Sequence, residues 1–207
     1  MTAQYETEQE NFWSGQFGDE YVERNRSGAL LAVKTAFFAR ALARSSGIHT
    51  ALELGANIGL NEIALQRLFP EIQMDVVEIN EKAAAECRKI KNVNVFQGSI
   101  FDFKSDKTYD LTFTAGVLIH INPERLPDVY RSLYTHSGKY VLVYEYYNPT
   151  PVEVPYRGNA DRLFKRDFAG ELMDAYPDLR LVDYGFVYHR DPNFPADDST
   201  WFLMEKR

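Results

Sequence analysis

The chain has 207 residues, 45% of them hydrophobic and 26% charged, ordinary values for a globular protein with one sizeable core, and they exclude wholesale disorder. Its 30 Asp and Glu against 23 Lys and Arg leave a net charge of -7, which disfavours nucleic acid and anionic membrane surfaces as partners. A single cysteine, Cys87, excludes an internal disulfide and a cysteine-based metal site and fits a reducing cytoplasmic setting.

No stretch approaches the ~20 apolar residues of a membrane span, and residues 1–10 are polar and acidic, so no secretory leader is expected. No internal repeat or Gly/Ser linker occurs, so one domain over 1–207 is expected, with a helical N-terminal cap over 1–46 and a core over 47–207. The spacing predicts a short helix at 19–26 and a stronger one at 29–44, where Leu30, Val33, Phe37 and Ala41 recur at helical intervals before Ser45-Ser46-Gly47. Strand 50–54 runs into Gly55, and helix 60–69 stops at Pro70. Strand 74–79 follows, then a helix capped by Asn80 and reaching 89. Strands at 93–97 and 109–114 precede a helix from Asn122 to His136, with Pro123 at its first position. A strand at 140–146 leads into an irregular loop at 148–159 with three prolines. A helix at 167–176 and two strands, 179–188 and 201–205, close the chain.

Alternating strands and helices imply an α/β fold, a doubly wound, mostly parallel Rossmann-like sheet with helices on both faces. The last two strands lack a helix between them and are expected to be antiparallel. Ligands in such sheets sit at the carboxyl ends of the strands, where strand order reverses.

Glu53-Leu54-Gly55-Ala56-Asn57-Ile58-Gly59 lies between a strand and a helix, the context that gives a glycine loop meaning. Gly55 and Gly59 remove side chains where a ligand approaches the backbone, and Asn57 tolerates a left-handed conformation. Counted as G-x-G-x-x-G from Gly55, the later glycines are replaced by Asn57 and Leu60, which weakens a dinucleotide reading. The alternative is a loop for the amino-acid tail and ribose of S-adenosylmethionine (SAM), with Glu53 orienting the α-ammonium and Ala56 on the wall. Glu78, about 20 residues on, suits a ribose diol, and Ile79 beside it can pack on adenine. Gly98, Ser99 and Ile100 follow the third strand, with Ser99 where many SAM-binding domains carry an acid. Ala115, Gly116 and Val117 leave the fourth strand and can back the cofactor. His120 is the best-placed titratable group there, as a substrate contact or general base; Tyr144 and Glu145 on the fifth strand are other candidates.

These four segments in order resemble a class I SAM-dependent methyltransferase. Residues 12–25, FWSGQFGDEYVERN, and residues 148–158, NPTPVEVPYRG, continuing through Leu163 to Phe168, resemble the methylases associated with pseudaminic acid (nonulosonate) biosynthesis, over nearly the whole chain. The resemblance implies a seven-stranded sheet, SAM as methyl donor with S-adenosylhomocysteine as product, and a small acceptor from a sugar pathway or surface polysaccharide.

Tyr21, Arg24 and Asn25 are expected to cover the cofactor from the N-terminal helix. Tyr156, Arg157, Lys165 and Arg166 form a basic cluster suited to an anionic, sugar- or nucleotide-sugar-derived acceptor. No metal site is expected, because the histidines have no ligand spacing. A SAM-binding sensor or scaffold without turnover is the second reading, and an NAD-type oxidoreductase a third. Oligomeric state is not legible.

Overall fold

The computed structural model describes residues 5–24, 28–156, 158 and 162–207. Three helices open the chain: α1 (Glu8–Ser14), α2 (Gln16–Arg24) and α3 (Gly28–Ala41). Then come β1 (Thr50–Leu54), α4 (Leu60–Leu68), β2 (Gln73–Glu78), α5 (Glu81–Cys87), β3 (Val93–Gln97) and β4 (Tyr109–Ala115). Two 3-10 turns, Leu118–His120 and Pro123–Arg125, lead to α6 (Leu126–His136), which passes directly into β5 (Ser137–Glu145). A small hairpin of β6 (Val152–Glu153) and β7 (Phe164–Lys165) precedes α7 (Phe168–Ala175), β8 (Leu179–Val187) and β9 (Ser199–Lys206).

Seven strands form one sheet in the order β3-β2-β1-β4-β5-β9-β8. The first five pair in parallel, whereas β9 lies antiparallel between β5 and β8. Order reverses between β1 and β4, which places the switch point at the middle of the sheet. The expected architecture and the antiparallel terminal pair are both observed.

The two-residue alternation of strand side chains explains why both faces are covered. Leu52 and Leu54 of β1 and Val141 and Val143 of β5 pack with Val129 and Leu133 of α6 and Phe168 and Leu172 of α7. Their neighbours Ala51, Tyr140 and Leu142 face the other way, onto Phe37 and Phe38 of α3 and Ala64 and Leu65 of α4. Each strand is therefore sandwiched, and its carboxyl end is held rigidly enough to position a site. Among the described residues no helix is long and apolar enough to cross a membrane.

Candidate active site

At the carboxyl end of β1 the chain turns at Gly55, with φ +88°. The Gly55 and Ala56 N–H groups both donate to the Val77 carbonyl, at 2.8 and 3.2 Å, tying the turn to β2. A Cβ on Gly55 would come within 2.5 Å of the Val117 side chain, so close packing against the β4 exit demands glycine as much as φ does. Asn57 takes φ +51°, the left-handed conformation asparagine tolerates. Its N–H donates to Glu78 Oε2 at 2.7 Å, and the Asn80 N–H donates to Oε1 at 2.7 Å. Glu78 is only 7% exposed. Burial pushes its pKa up to about 6, while the N–H donors of Asn80, Asn57 and Ile79 pull it down. A carboxylate has about four acceptor positions, so both oxygens keep room for ligand hydroxyls.

Gly116, leaving β4 with φ +73°, would meet no heavy atom within 4 Å if it carried a Cβ. It borders the cavity, and the space a side chain would fill is left open there. The turn is clamped from behind by Glu145, which accepts from the Val117 N–H at 3.0 Å and the Ile119 N–H at 3.4 Å. Burial pushes Glu145 up to about 7. One residue past Ile119, the His120 Nδ1 lies 2.6 Å from the Arg162 carbonyl. A carbonyl only accepts, so Nδ1 carries the proton and Nε2 is left as the basic nitrogen. Burial pushes His120 down to about 4, which keeps the ring neutral at physiological pH.

The opposite wall comes from α1 and α2. Thr7 and Glu10 form a reciprocal capping box that starts α1. Glu10 is buried, and its Oε1 accepts from the Ser99 hydroxyl at 2.5 Å. The Trp13 ring lies 4.6 Å from the His120 ring and 5.3 Å from Tyr21, and Tyr156 lies 4.9 Å from His120. Trp13 Nε1 is buried without a hydrogen-bond partner among the described residues. Ion pairs pin this wall at its rim: Glu6 to Arg125 at 2.7 Å, Glu8 to Arg162 at 3.0 Å and Asp19 to Lys82 at 2.5 Å.

At the α3 and α4 end, Lys34 Nζ donates to Asn61 Oδ1 at 2.7 Å, and Asn61 Nδ2 donates to Glu53 Oε1 at 2.5 Å. Glu53 Oε2 and both Glu62 oxygens meet no donor among the described residues. A proton shared by the two carboxyls pairs one oxygen of each. Burial, reinforced by the neighbouring Glu62 carboxylate, raises Glu53 well above the usual range and makes it the proton's holder. Burial lowers the Lys34 pKa, against the pull of both glutamates.

These walls border one cavity, open at its mouth, at the carboxyl ends of β1, β2 and β4. Gly55, Ala56, Asn57, Glu78, Ile79, Ser99, Ile100, Ala115, Gly116, Val117, His120 and Tyr21 all border this space. Other residues singled out in the sequence do not. Glu53 stands behind Asn61; Gly59 is the left-handed residue that starts α4, and Gly98 follows β3 with its Cβ position against the Phe96 ring. Tyr144 stacks on Phe37 at 4.1 Å, with its hydroxyl pKa raised by burial, and Glu145 is spent on the β4 turn. Neither borders the cavity, which corrects their reading as bases. Tyr156 does not border the cavity but packs near the His120 and Trp13 rings, 4.9 and 6.4 Å away. Arg166 Nε donates to Glu171 at 2.7 Å, and Lys165 Nζ sits 5.0 Å above the Tyr146 ring. Asn25, Arg157 and the side chain of Arg24 lie outside the described residues.

The sequence reading did not assign Glu10, Trp13, Lys34 or Asn61, which all border the cavity. Two signals were available. Thr7-Glu8-Gln9-Glu10 is a capping-box sequence, and Lys34 is an isolated charge amid GALLAVKTAFF.

No protein-family profile and no curated protein matches the sequence. Solved structures do. A 1,6-didemethyltoxoflavin N1-methyltransferase from Burkholderia thailandensis, bound to its substrate and S-adenosylhomocysteine, superposes with a TM-score of 0.69 at 14% identity, over 96% of this chain and 86% of that one. The magnesium protoporphyrin IX methyltransferase of Synechocystis PCC 6803, with bound S-adenosylhomocysteine, gives 0.70 at 13% identity, over 96% and 97%. An amino pentose methyltransferase from Micromonospora echinaspora, with bound SAM, gives 0.63 at 12% identity, over 92% and 96%. The likeness is one of fold: the chain has the Rossmann-like architecture of class I SAM-dependent methyltransferases.

Proposed function

We propose that the chain is a SAM-dependent methyltransferase acting at oxygen or nitrogen on a small acceptor. The observation that carries this is Glu78, a buried carboxylate at the end of β2, beside the Gly55–Asn57 turn and across from the open edge at Gly116. Those residues fit a nucleoside with a sulfonium tail: an acceptor pair for a diol, a turn tied tightly against β2, and a vacant side-chain position where the tail must pass. When bound, SAM supplies a methyl group already activated for in-line displacement.

The protein's own part is alignment and proton management. Glu78 accepts from the ribose hydroxyls. Lys34 has N–H donors left for the tail carboxylate, and Glu53 acts by holding Asn61 in place. His120 presents Nε2 as the base. A base of pKa about 4 takes a proton only as the methyl bond forms and the acceptor becomes strongly acidic, which is the concerted case.

The acceptor is taken as sugar-derived, in nonulosonate or surface-polysaccharide synthesis, as the resemblance in residues 12–25 and 148–168 implies. The flat faces of Trp13 and Tyr21 beside His120 support a ring-shaped acceptor. Its anionic character has less support: Arg162 and Arg166 hold Glu8 and Glu171, and Lys34 is the one Lys or Arg among the described residues of the cavity wall. The same proposal takes 1–207 as one cytoplasmic domain, with the cap over 1–46.

Calorimetric titration with S-adenosylhomocysteine and with NAD tests the cofactor. Preference for NAD overturns the reading. Transfer of labelled methyl to free and nucleotide-linked sugars tests the acceptor, and tight cofactor binding without transfer to any acceptor favours the sensor or scaffold instead.

A further inference from the structure

Past Glu78, the cavity wall continues along Ser99, Ile100 and Phe101 at the exit of β3, the strand beside β2. A base on a ribose held by Glu78 therefore lies between Ile79 and the Ile100–Phe101 segment. At the far end of that slot is Glu10, contributed by α1 and not by the sheet.

Lone-pair accounting fixes what Glu10 can read. Its Oε2 accepts from the Thr7 N–H at 2.9 Å and the Thr7 hydroxyl at 2.7 Å, so it is saturated. Its Oε1 accepts from the Ser99 hydroxyl, which leaves one acceptor position open. Ser99 has given its only proton to Glu10 and accepts from the Phe101 N–H at 3.1 Å. Ser99, 1% exposed, has no proton left for a ligand and aims the carboxylate. A carboxylate flanked this way accepts from an N–H and repels a carbonyl oxygen.

We infer that Glu10, aimed by Ser99, binds the exocyclic amine of the cofactor's adenine and selects a 6-amino over a 6-oxo purine. This rests on the cofactor reading above. It assigns base specificity to the N-terminal helix, with Ser99 as its positioning residue. Cofactor recognition then requires α1 to be docked.

The test is isothermal titration calorimetry on the full chain with S-adenosylhomocysteine and its 6-oxo analogue, S-inosylhomocysteine. The wild type is expected to prefer the adenine compound by about tenfold or more, the scale of one hydrogen bond to a charged group. Glu10→Gln can turn its amide toward a 6-oxo group and is expected to abolish the preference. Ser99→Ala leaves the capping box untouched and is expected to reduce the preference by a smaller factor. A merely structural role for either residue weakens both ligands equally and leaves their ratio unchanged. An unchanged ratio in both variants, with S-adenosylhomocysteine still bound by the wild type, overturns this inference alone. No binding of either nucleoside by the wild type overturns the cofactor reading and this inference together.

Discussion

On one side the cavity is walled by the ends of β1, β2 and β4, where Glu78, Gly55 and Val117 hang from strands sandwiched between helices. On the other it is walled by α1 and α2, whose hold on the core combines buried contacts of Glu10 and Trp13 with ion pairs at the rim. The sheet side is preorganised by the core. The helical side is held by groups that solvent can compete for: Glu6 and Glu8 are 81% and 82% exposed.

Substitutions on the rigid wall are expected to be the costly ones. His120→Ala should lower methyl-transfer turnover by about 10²–10⁴-fold, the usual contribution of a positioned base, while S-adenosylhomocysteine affinity, measured by calorimetry, stays within a few fold. Loss of affinity with turnover intact would move His120 out of the base role. Glu78→Ala should weaken S-adenosylhomocysteine binding by about 100-fold, since hydrogen bonds to a charged carboxylate are lost. Glu78→Gln keeps one of the two acceptor oxygens, so it can still accept from the Asn57 or the Asn80 N–H but not both, and should weaken binding by less than the alanine.

The pH profile comes next in size. Glu78 must be ionised to accept from both hydroxyls, and its pKa in the ligand-free fold is about 6. Affinity should therefore fall roughly tenfold from pH 7 to pH 5. Stability runs the opposite way. The folded pKa lies above the unfolded value, so the proton is held more tightly when folded. That contribution, about 2 kcal/mol, is full below pH ~4.5 and is lost as pH rises through about 6. Glu145, pushed up to about 7, adds in the same direction. Glu78→Gln should flatten part of this dependence in melting experiments without ligand.

The smallest effect belongs to the rim. Arg125→Ala removes the pair with Glu6 and the guanidinium 4.0 Å above the Phe101 ring. It should cost about 1 kcal/mol or less in melting experiments, and less again at high salt. A loss comparable to that from a core substitution would erase the contrast between the two walls.

The same division governs what the sequence discloses. β1 and β3 fall at their expected residues, and β2 and β4 within one, because buried parallel strands bounded by Gly, Asn and Pro announce themselves by composition. The carboxyl-end motifs follow from those strands, so Glu78, Gly116 and His120 were legible as wall residues. The cap was less so. α1 is seven residues with Phe12 and Trp13 adjacent, too short for an apolar repeat to register. Glu10 meets Ser99 across 89 residues, a pairing no local pattern encodes. β5 begins three residues early because α6 runs into it without a loop. Pairing across the proline-rich loop joins only two residues per strand, below what alternation can reveal.

Glu10 starts a helix and also edges a ligand cavity. Fraying of the first turn of α1 and departure of a bound nucleoside are then one equilibrium viewed from two ends. Amide hydrogens at Asn11 and Phe12 should exchange with solvent more slowly once the nucleoside is present, in proportion to its occupancy, although neither residue touches it.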